Sequence, residues 1–154
     1  MLIPAICKKE ELTAALDRLR YSDRVMLYNG TIDDCRFYCY GTNDSDWTLG
    51  RFQYAICDNE ENLIGYISYT IDYYSSCCYN FGLMSFLDEP SVYVALAIRE
   101  VILNIKRQRL HRVEFRAIQG NPVIKSYDKL VKYFSKNGYR AKKYTLTDVF
   151  KDRY

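Results

Sequence analysis

The chain has 154 residues, of which 49% are hydrophobic and 27% are charged, and its formal net charge is +3. This length and apolar content predict one globular domain, residues 1–154, with a buried core. The positive charge is small and scattered apart from clusters at Lys106-Arg107-Arg109 and Lys142-Lys143, so it does not by itself indicate nucleic-acid binding, which is the weakest of the functional hypotheses. No apolar run approaches the roughly 20 residues that cross a bilayer, so we predict no membrane association.

The cysteines indicate a reduced protein without a metal site. Six cysteines accompany one histidine, and no two cysteines have the two-residue spacing that is typical of zinc sites. Cys77 and Cys78 are adjacent, so on a strand they would point to opposite faces and would not form a disulfide. The segment before Lys8 is too short for a signal peptide, and we therefore expect a cytoplasmic protein.

The first half of the chain shows strand and helix patterns around one segment without a clear pattern, residues 21–47. Pro4 restricts the first apolar segment to the edge of a sheet. Leu12 and Ala15 lie on the apolar stripe of an amphipathic helix. Gly65 lies inside a strand and indicates a bulge or a close backbone approach. The predicted elements are an edge strand, a helix and the two strands of an antiparallel hairpin, at residues 2–7, 10–20, 51–57 and 63–72.

The second half alternates strands with helices and ends in a polar tail, residues 147–154. Asp88 is the expected N-cap of the first of these helices and Pro90 is expected in its first turn. Gly82 interrupts the strand before that helix, which indicates a bulge. The predicted elements are a strand, a helix, a strand, a helix and a strand, at residues 77–86, 89–109, 111–118, 123–137 and 139–146.

This order of elements predicts a mixed α/β (α+β) domain with a mostly antiparallel central sheet and helices on both faces. Within it, residues 110–139 run as strand, break, helix and strand start. Asn121 precedes the second helix, the triplet Tyr127-Asp128-Lys129 lies on it, and Gly138-Tyr139 follows it. This segment resembles the last core segment of the GNAT superfamily of N-acetyltransferases, which reads strand, Asn, helix with a Tyr-Glu-Lys-like triplet, then Gly-Phe.

The resemblance implies a GNAT-like fold and transfer of an acetyl group from acetyl-coenzyme A to a primary amine by direct attack. It implies that Tyr127 protonates the leaving thiolate and that Asn121 holds the pantetheine arm. It also implies that backbone groups at Leu83 and Met84 bind the thioester carbonyl. Ser91 lies in the stretch that corresponds to the family's pyrophosphate loop, so it is the expected cofactor contact there.

Several alternatives remain open at this point. Glu114 is the candidate general base, with Asp72 and Tyr79 as alternatives on neighbouring strands. Tyr127 is also explained by core packing, and Asn121 by helix capping. His111, at the other end of its strand from Asn121, is assigned a surface or capping role.

The stretch that corresponds to the pyrophosphate loop, residues 87–95, contains no glycine. This favours a second hypothesis, a non-catalytic GNAT-like module that binds a ligand in the same cleft. The expected partner of the enzyme is a small-molecule or peptide amine, and the prediction leaves room for a homodimer.

Overall fold

The structure is a computed structural model that describes residues 1–19, 41–43, 46–87, 91–118 and 124–146. Asn121, the tail from residue 147 and most of the segment without a clear pattern lie outside these residues. The described strands are β1 (Leu2–Pro4), β2 (Gly41–Asn43), β3 (Asp46–Cys57), β4 (Leu63–Asp72), β5 (Cys77–Ser85), β6 (Arg112–Ile118) and β7 (Arg140–Leu146). The described α-helices are α1 (Lys9–Leu19), α2 (Val92–Arg107) and α3 (Ile124–Lys136), and a short 3-10 helix (Ala5–Lys8) precedes α1.

The seven described strands form one sheet in the order β1-β3-β4-β5-β6-β7, with β2 also paired to β3. Every pair from β1 to β5 is antiparallel, whereas β5–β6 and β6–β7 are parallel. The prediction of a mixed, mostly antiparallel sheet is confirmed. Strand β1 lies at one end of the order, where the missing N–H of Pro4 costs the sheet nothing.

Helices cover both faces of the sheet, as predicted. Helices α2 and α3 bury one stripe each, which packs with alternate residues of β4, β5 and β6. Helix α1 and the 3-10 helix contribute to a smaller cluster on the other face. We call the two faces the α2/α3 face and the α1 face. The buried side chains of the larger cluster include Ile67, Tyr69, Phe81, Ala97, Val101, Ile105, Val113, Phe115, Tyr127 and Phe134, and those of the smaller one are Ala5, Leu12, Ala55, Cys57, Tyr66 and Met84.

The start of α2 corrects one prediction. Ser91, not Asp88, is the N-cap of this helix, because its extended backbone lets its Oγ accept a hydrogen bond from the Tyr93 N–H at 3.2 Å. Pro90 therefore precedes the helix instead of lying in its first turn. The other predicted boundaries agree within a few residues, except that β3 begins at Asp46. Gly138, the predicted left-handed cap after α3, has φ +88°.

Two irregularities lie near the centre of the sheet. At Gly65 the backbones approach closely, since a Cβ built there would lie 2.6 Å from the Met84 carbonyl oxygen. The bulge lies in β5 next to Gly82, as the sequence indicated. Ser68 is opposite Gly82 and Thr70 is opposite Tyr79, so two β5 residues, Asn80 and Phe81, lie opposite Tyr69.

Candidate functional site

Strands β5 and β6 pair at their beginnings and then separate. Only two residue pairs join them, Cys77 with Arg112 and Cys78 with Val113, whereas β6 and β7 pair over seven residues. The β5 bulge lies just beyond the last pair. We call the opening beyond Cys78 and Val113 the β5–β6 gap. Among the described residues no strand lies beside the backbone N–H and C=O groups that face the gap, so these groups are available to a side chain or a ligand.

Tyr127 of α3 reaches this gap. Its hydroxyl donates a hydrogen bond to the Phe81 carbonyl oxygen at 3.1 Å, and the side chain is 1% exposed. Its ring lies 5.0 Å from that of Phe115, which lies 4.5 Å from that of Phe81. The tyrosine is therefore a core residue and also the donor for a β5 carbonyl beside the gap. The two interpretations of Tyr127 are compatible.

The backbone on the β5 side of the gap favours Leu83 over Met84 as the donor to a ligand. Phe86, just after β5, donates its N–H to the Ile64 carbonyl of β4. The Met84 carbonyl of β5 lies against Gly65, which also belongs to β4. Successive residues of a strand direct their N–H and C=O groups to opposite sides. The Leu83 groups therefore point into the gap, and those of Met84 point at β4.

Glu114 lies across the sheet from Tyr127. Its neighbours Val113 and Phe115 are buried on the α2/α3 face, so alternation places Glu114 on the α1 face, where it is partly exposed. Burial, with the negative charge of Glu114 as the next cause, raises the pKa of Cys77. Glu114 therefore lies near this thiol and is opposite Lys142 of β7.

The alternative bases have different surroundings. Asp72 accepts hydrogen bonds through Oδ1 from the backbone N–H groups of Tyr74 (3.0 Å) and Ser75 (3.2 Å), so it stabilises the β4–β5 turn. Tyr79 is partly buried and lies opposite Thr70, on the α1 face with Glu114.

Two buried polar side chains on the α1 face were missed by sequence reasoning. Gln53 and Ser68 are each 5% exposed and lie opposite one another, and Ser68 lies opposite Gly82. The Gln53 Oε1 and Ser68 Oγ atoms have no hydrogen-bond partner in the part of the chain that is described. A buried oxygen without a donor costs about 1–3 kcal/mol. The two oxygens lie in one row across β3 and β4 that ends at Gly82 of β5, and this glycine was the one sequence signal of the row.

Ser91, the predicted contact to the pyrophosphate, has its Oγ engaged as the α2 cap. The first turn of α2 carries no acidic residue. The partial positive charge of its N-terminus is therefore not offset by a carboxylate of that turn.

The core beneath the gap has no room for a ligand. A cavity of about 10 Å³ lies between the sheet and the two helices of the α2/α3 face, which is at the lower limit for holding one water molecule. Apolar side chains and the Tyr127 ring line it, among them Ile67, Leu83, Ile98 and Leu130. This cavity is too small for a thioester.

No group of His, Cys, Asp or Glu residues in the described ranges could hold a metal ion. None of the described helices is both long enough and apolar enough to span a bilayer. Comparisons with protein-family models, with curated proteins and with solved structures find no match to this chain. The geometry of the β5–β6 gap is therefore the basis for a functional hypothesis.

Proposed function

We propose that the chain is an N-acetyltransferase that transfers an acetyl group from acetyl-coenzyme A to a primary amine by direct attack. The observation that carries this proposal is the Tyr127 hydroxyl held 3.1 Å from the Phe81 carbonyl, beside a gap between two parallel strands. Thioester aminolysis needs donors for the developing oxyanion and a proton for the leaving thiolate. Leu83 and Tyr127 supply these at neighbouring positions along β5.

Each residue then has one task. Acetyl-coenzyme A supplies an activated acyl group and a thiolate leaving group. The Leu83 N–H donates to the thioester carbonyl oxygen as negative charge develops there. The Tyr127 O–H turns from the Phe81 carbonyl to the sulfur and gives it the proton while the C–S bond breaks, and the tyrosinate that results regains a proton from solvent. Glu114, directly or through water, takes the proton that the amine nitrogen loses when the N–C bond forms.

The two faces of the sheet support this division of labour. Tyr127 approaches the gap from the α2/α3 face, and Glu114 lies on the α1 face. An amine that attacks from the α1 face would therefore push the thiolate towards the tyrosine. The oxygens of Gln53 and Ser68, which have no hydrogen-bond partner among the described residues, lie on the attacking side. They are acceptors, which suits the N–H groups of an amine substrate.

The test is transfer of isotope-labelled acetyl groups from acetyl-coenzyme A to a panel of amines and amine-bearing peptides, detected by mass spectrometry. Mass detection is preferable to thiol reagents, because the exposed thiol of Cys7 would react with them. Tyr127→Phe should lower kcat by about 10²–10⁴-fold, the contribution of a positioned acid, with little change in KM for acetyl-coenzyme A. Tyr133→Phe, a partly buried tyrosine of the same helix, is the matched control. No labelled product with any amine would refute the proposal.

A non-catalytic module that binds a ligand in the same gap is the second candidate. Two observations favour it: the segment before and at the start of α2 contains no glycine, and Ser91 Oγ is already used as a helix cap. This candidate predicts binding of a ligand without turnover. Saturable binding of acetyl-coenzyme A with no product from any amine would select it.

For the cell compartment, we propose a reducing one, the cytoplasm. Cys57, Cys77 and Cys78 are buried free thiols. Cysteines that stay reduced are typical of this compartment.

A further inference from the structure

A second cleft lies at the end of the sheet where β6 and β7 begin. It has a volume of about 370 Å³ and is lined by Ser75, His111, Arg112, Gly138 and Arg140. We call it the basic cleft. The β5–β6 gap lies further along β5 and β6, past their two paired residues at the start of each strand. None of the residues assigned to acetyl transfer lines the basic cleft.

Backbone hydrogen bonds hold the cleft in shape. His111 and Arg112 both donate their N–H groups to the Ser76 carbonyl, at 3.0 and 3.1 Å, and Arg140 donates to the His111 carbonyl at 2.9 Å. The β4–β5 turn and the starts of β6 and β7 are thus joined in one unit. Gly138 completes the wall with a backbone at φ +88°, which other residues rarely adopt.

The charges in this unit are unbalanced. Arg112 and Arg140 are register partners on adjacent strands, so their Cα atoms are about 4.8 Å apart and their side chains share the α1 face. Like charges side by side on a sheet destabilise it. Within the described ranges neither guanidinium forms an ion pair. Exposed His111 adds a third nitrogenous side chain.

The nearest carboxylates on the same face, Asp72 and Glu114, form no ion pair with either arginine among the described residues. Asp72 is bonded to the N–H groups of its own turn, and Glu114 lies opposite Lys142. A bound anion would therefore offset the repulsion that the protein itself leaves between Arg112 and Arg140. Guanidinium groups prefer planar or tetrahedral oxyanions that accept two hydrogen bonds at once.

We propose that the basic cleft binds a phosphate group, with Arg112 and Arg140 as its charge partners and with His111 and Ser75 as further donors. The volume is in the range of small-molecule sites, roughly 300–1,000 Å³, so it has room for more than inorganic phosphate. The ligand is either the free ion or a small phosphate monoester. This site is independent of acetyl transfer and needs no coenzyme.

The experiment titrates inorganic phosphate and, separately, glucose 6-phosphate into the full chain, by calorimetry at constant ionic strength set with chloride. The proposal predicts saturable binding, and Arg140→Gln weakens it at least 10-fold. Lys142→Gln is the matched control, because Lys142 is exposed, lies on the same face of β7 and removes the same charge. The phosphate affinity of Lys142→Gln should stay within about 2-fold of that of the native chain, because salt screens an exposed charge that does not contact the ligand.

The two ligands separate the two sources of the phosphate group. Tighter binding of glucose 6-phosphate identifies a monoester site, and equal or tighter binding of inorganic phosphate identifies a site for the ion. Heat that does not saturate, or equal weakening by Arg140→Gln and Lys142→Gln, would overturn the proposal, because either result indicates diffuse charge attraction. Circular dichroism of both variants checks that their fold is intact. Arg112→Gln removes the other arginine of the basic cleft and is an independent test of the same site.

Discussion

Replacing Tyr127 by Phe separates the two roles of its hydroxyl. The variant keeps the ring against Phe115 and removes the hydroxyl that donates to the Phe81 carbonyl. A buried carbonyl that loses its donor costs about 1–2 kcal/mol. Deleting the whole aromatic side chain would cost about 3–5 kcal/mol. For a chain of this size the smaller loss corresponds to a fall in Tm of roughly 3–6 °C.

The assay combines urea unfolding with acetyl transfer at a temperature where both proteins are fully folded. Tyr127→Phe should lower the unfolding midpoint without changing the denaturant slope, and it should lower kcat far more than the stability loss explains. Tyr133→Phe should change stability by less than about 0.5 kcal/mol and leave kcat unchanged. Unchanged stability of Tyr127→Phe would show that the hydroxyl is not held on β5. Full activity of the folded variant would refute its role as the acid.

Three further predictions concern stability and pH. Gly65→Ala places a methyl group 2.6 Å from the Met84 carbonyl, so the strands must shift at a cost of about 1–3 kcal/mol in urea unfolding; a neutral change would contradict the close approach. Ser91→Ala removes the α2 cap and should cost about 1 kcal/mol, whereas Ser91→Asp should retain most of it; equal losses would argue against capping. Burial raises the pKa of Cys78 well above its ordinary value of 9.0, so the native state keeps a proton that the unfolded chain loses. The contribution of this protonated thiol to the free energy of unfolding is complete below pH 9. It is lost as the pH rises towards the folded pKa of Cys78, at up to about 1.4 kcal/mol per pH unit. Between pH 8 and 10.5 the free energy of unfolding should decline less in Cys78→Ala than in the native chain. Identical slopes against pH would show that ionisation of Cys78 does not cause the decline.

Local patterns in the sequence were sufficient for the helices and most strands. Helix α3 has an apolar stripe, a glycine where it ends and a lysine in its last turn, and each signal is contained within a few residues. The β3–β4 hairpin likewise has alternation on both sides of a polar turn. These elements could be predicted because their determinants are neighbours in the chain.

The geometry of the candidate site depends on partners that are distant in sequence. The β5 bulge is defined by its register with β4, and Gly82 marked only its neighbourhood. The Phe81 carbonyl became a site atom because α3, 46 residues later, brings Tyr127 to it. Gln53 and Ser68 look like ordinary polar strand positions until the sheet places them together and buries them. The α2 cap was misassigned because Asp88, Pro90 and Ser91 all suit a helix start.

Calorimetric titration of acetyl-coenzyme A into the full chain, with coenzyme A as the control ligand, tests the central claim most directly. The account predicts binding near micromolar strength, about −8 kcal/mol. Asn121→Ala should weaken it, because the GNAT resemblance assigns that residue to the pantetheine arm. No heat and no thermal shift at millimolar acetyl-coenzyme A would contradict the account and leave the β5–β6 gap without its proposed ligand.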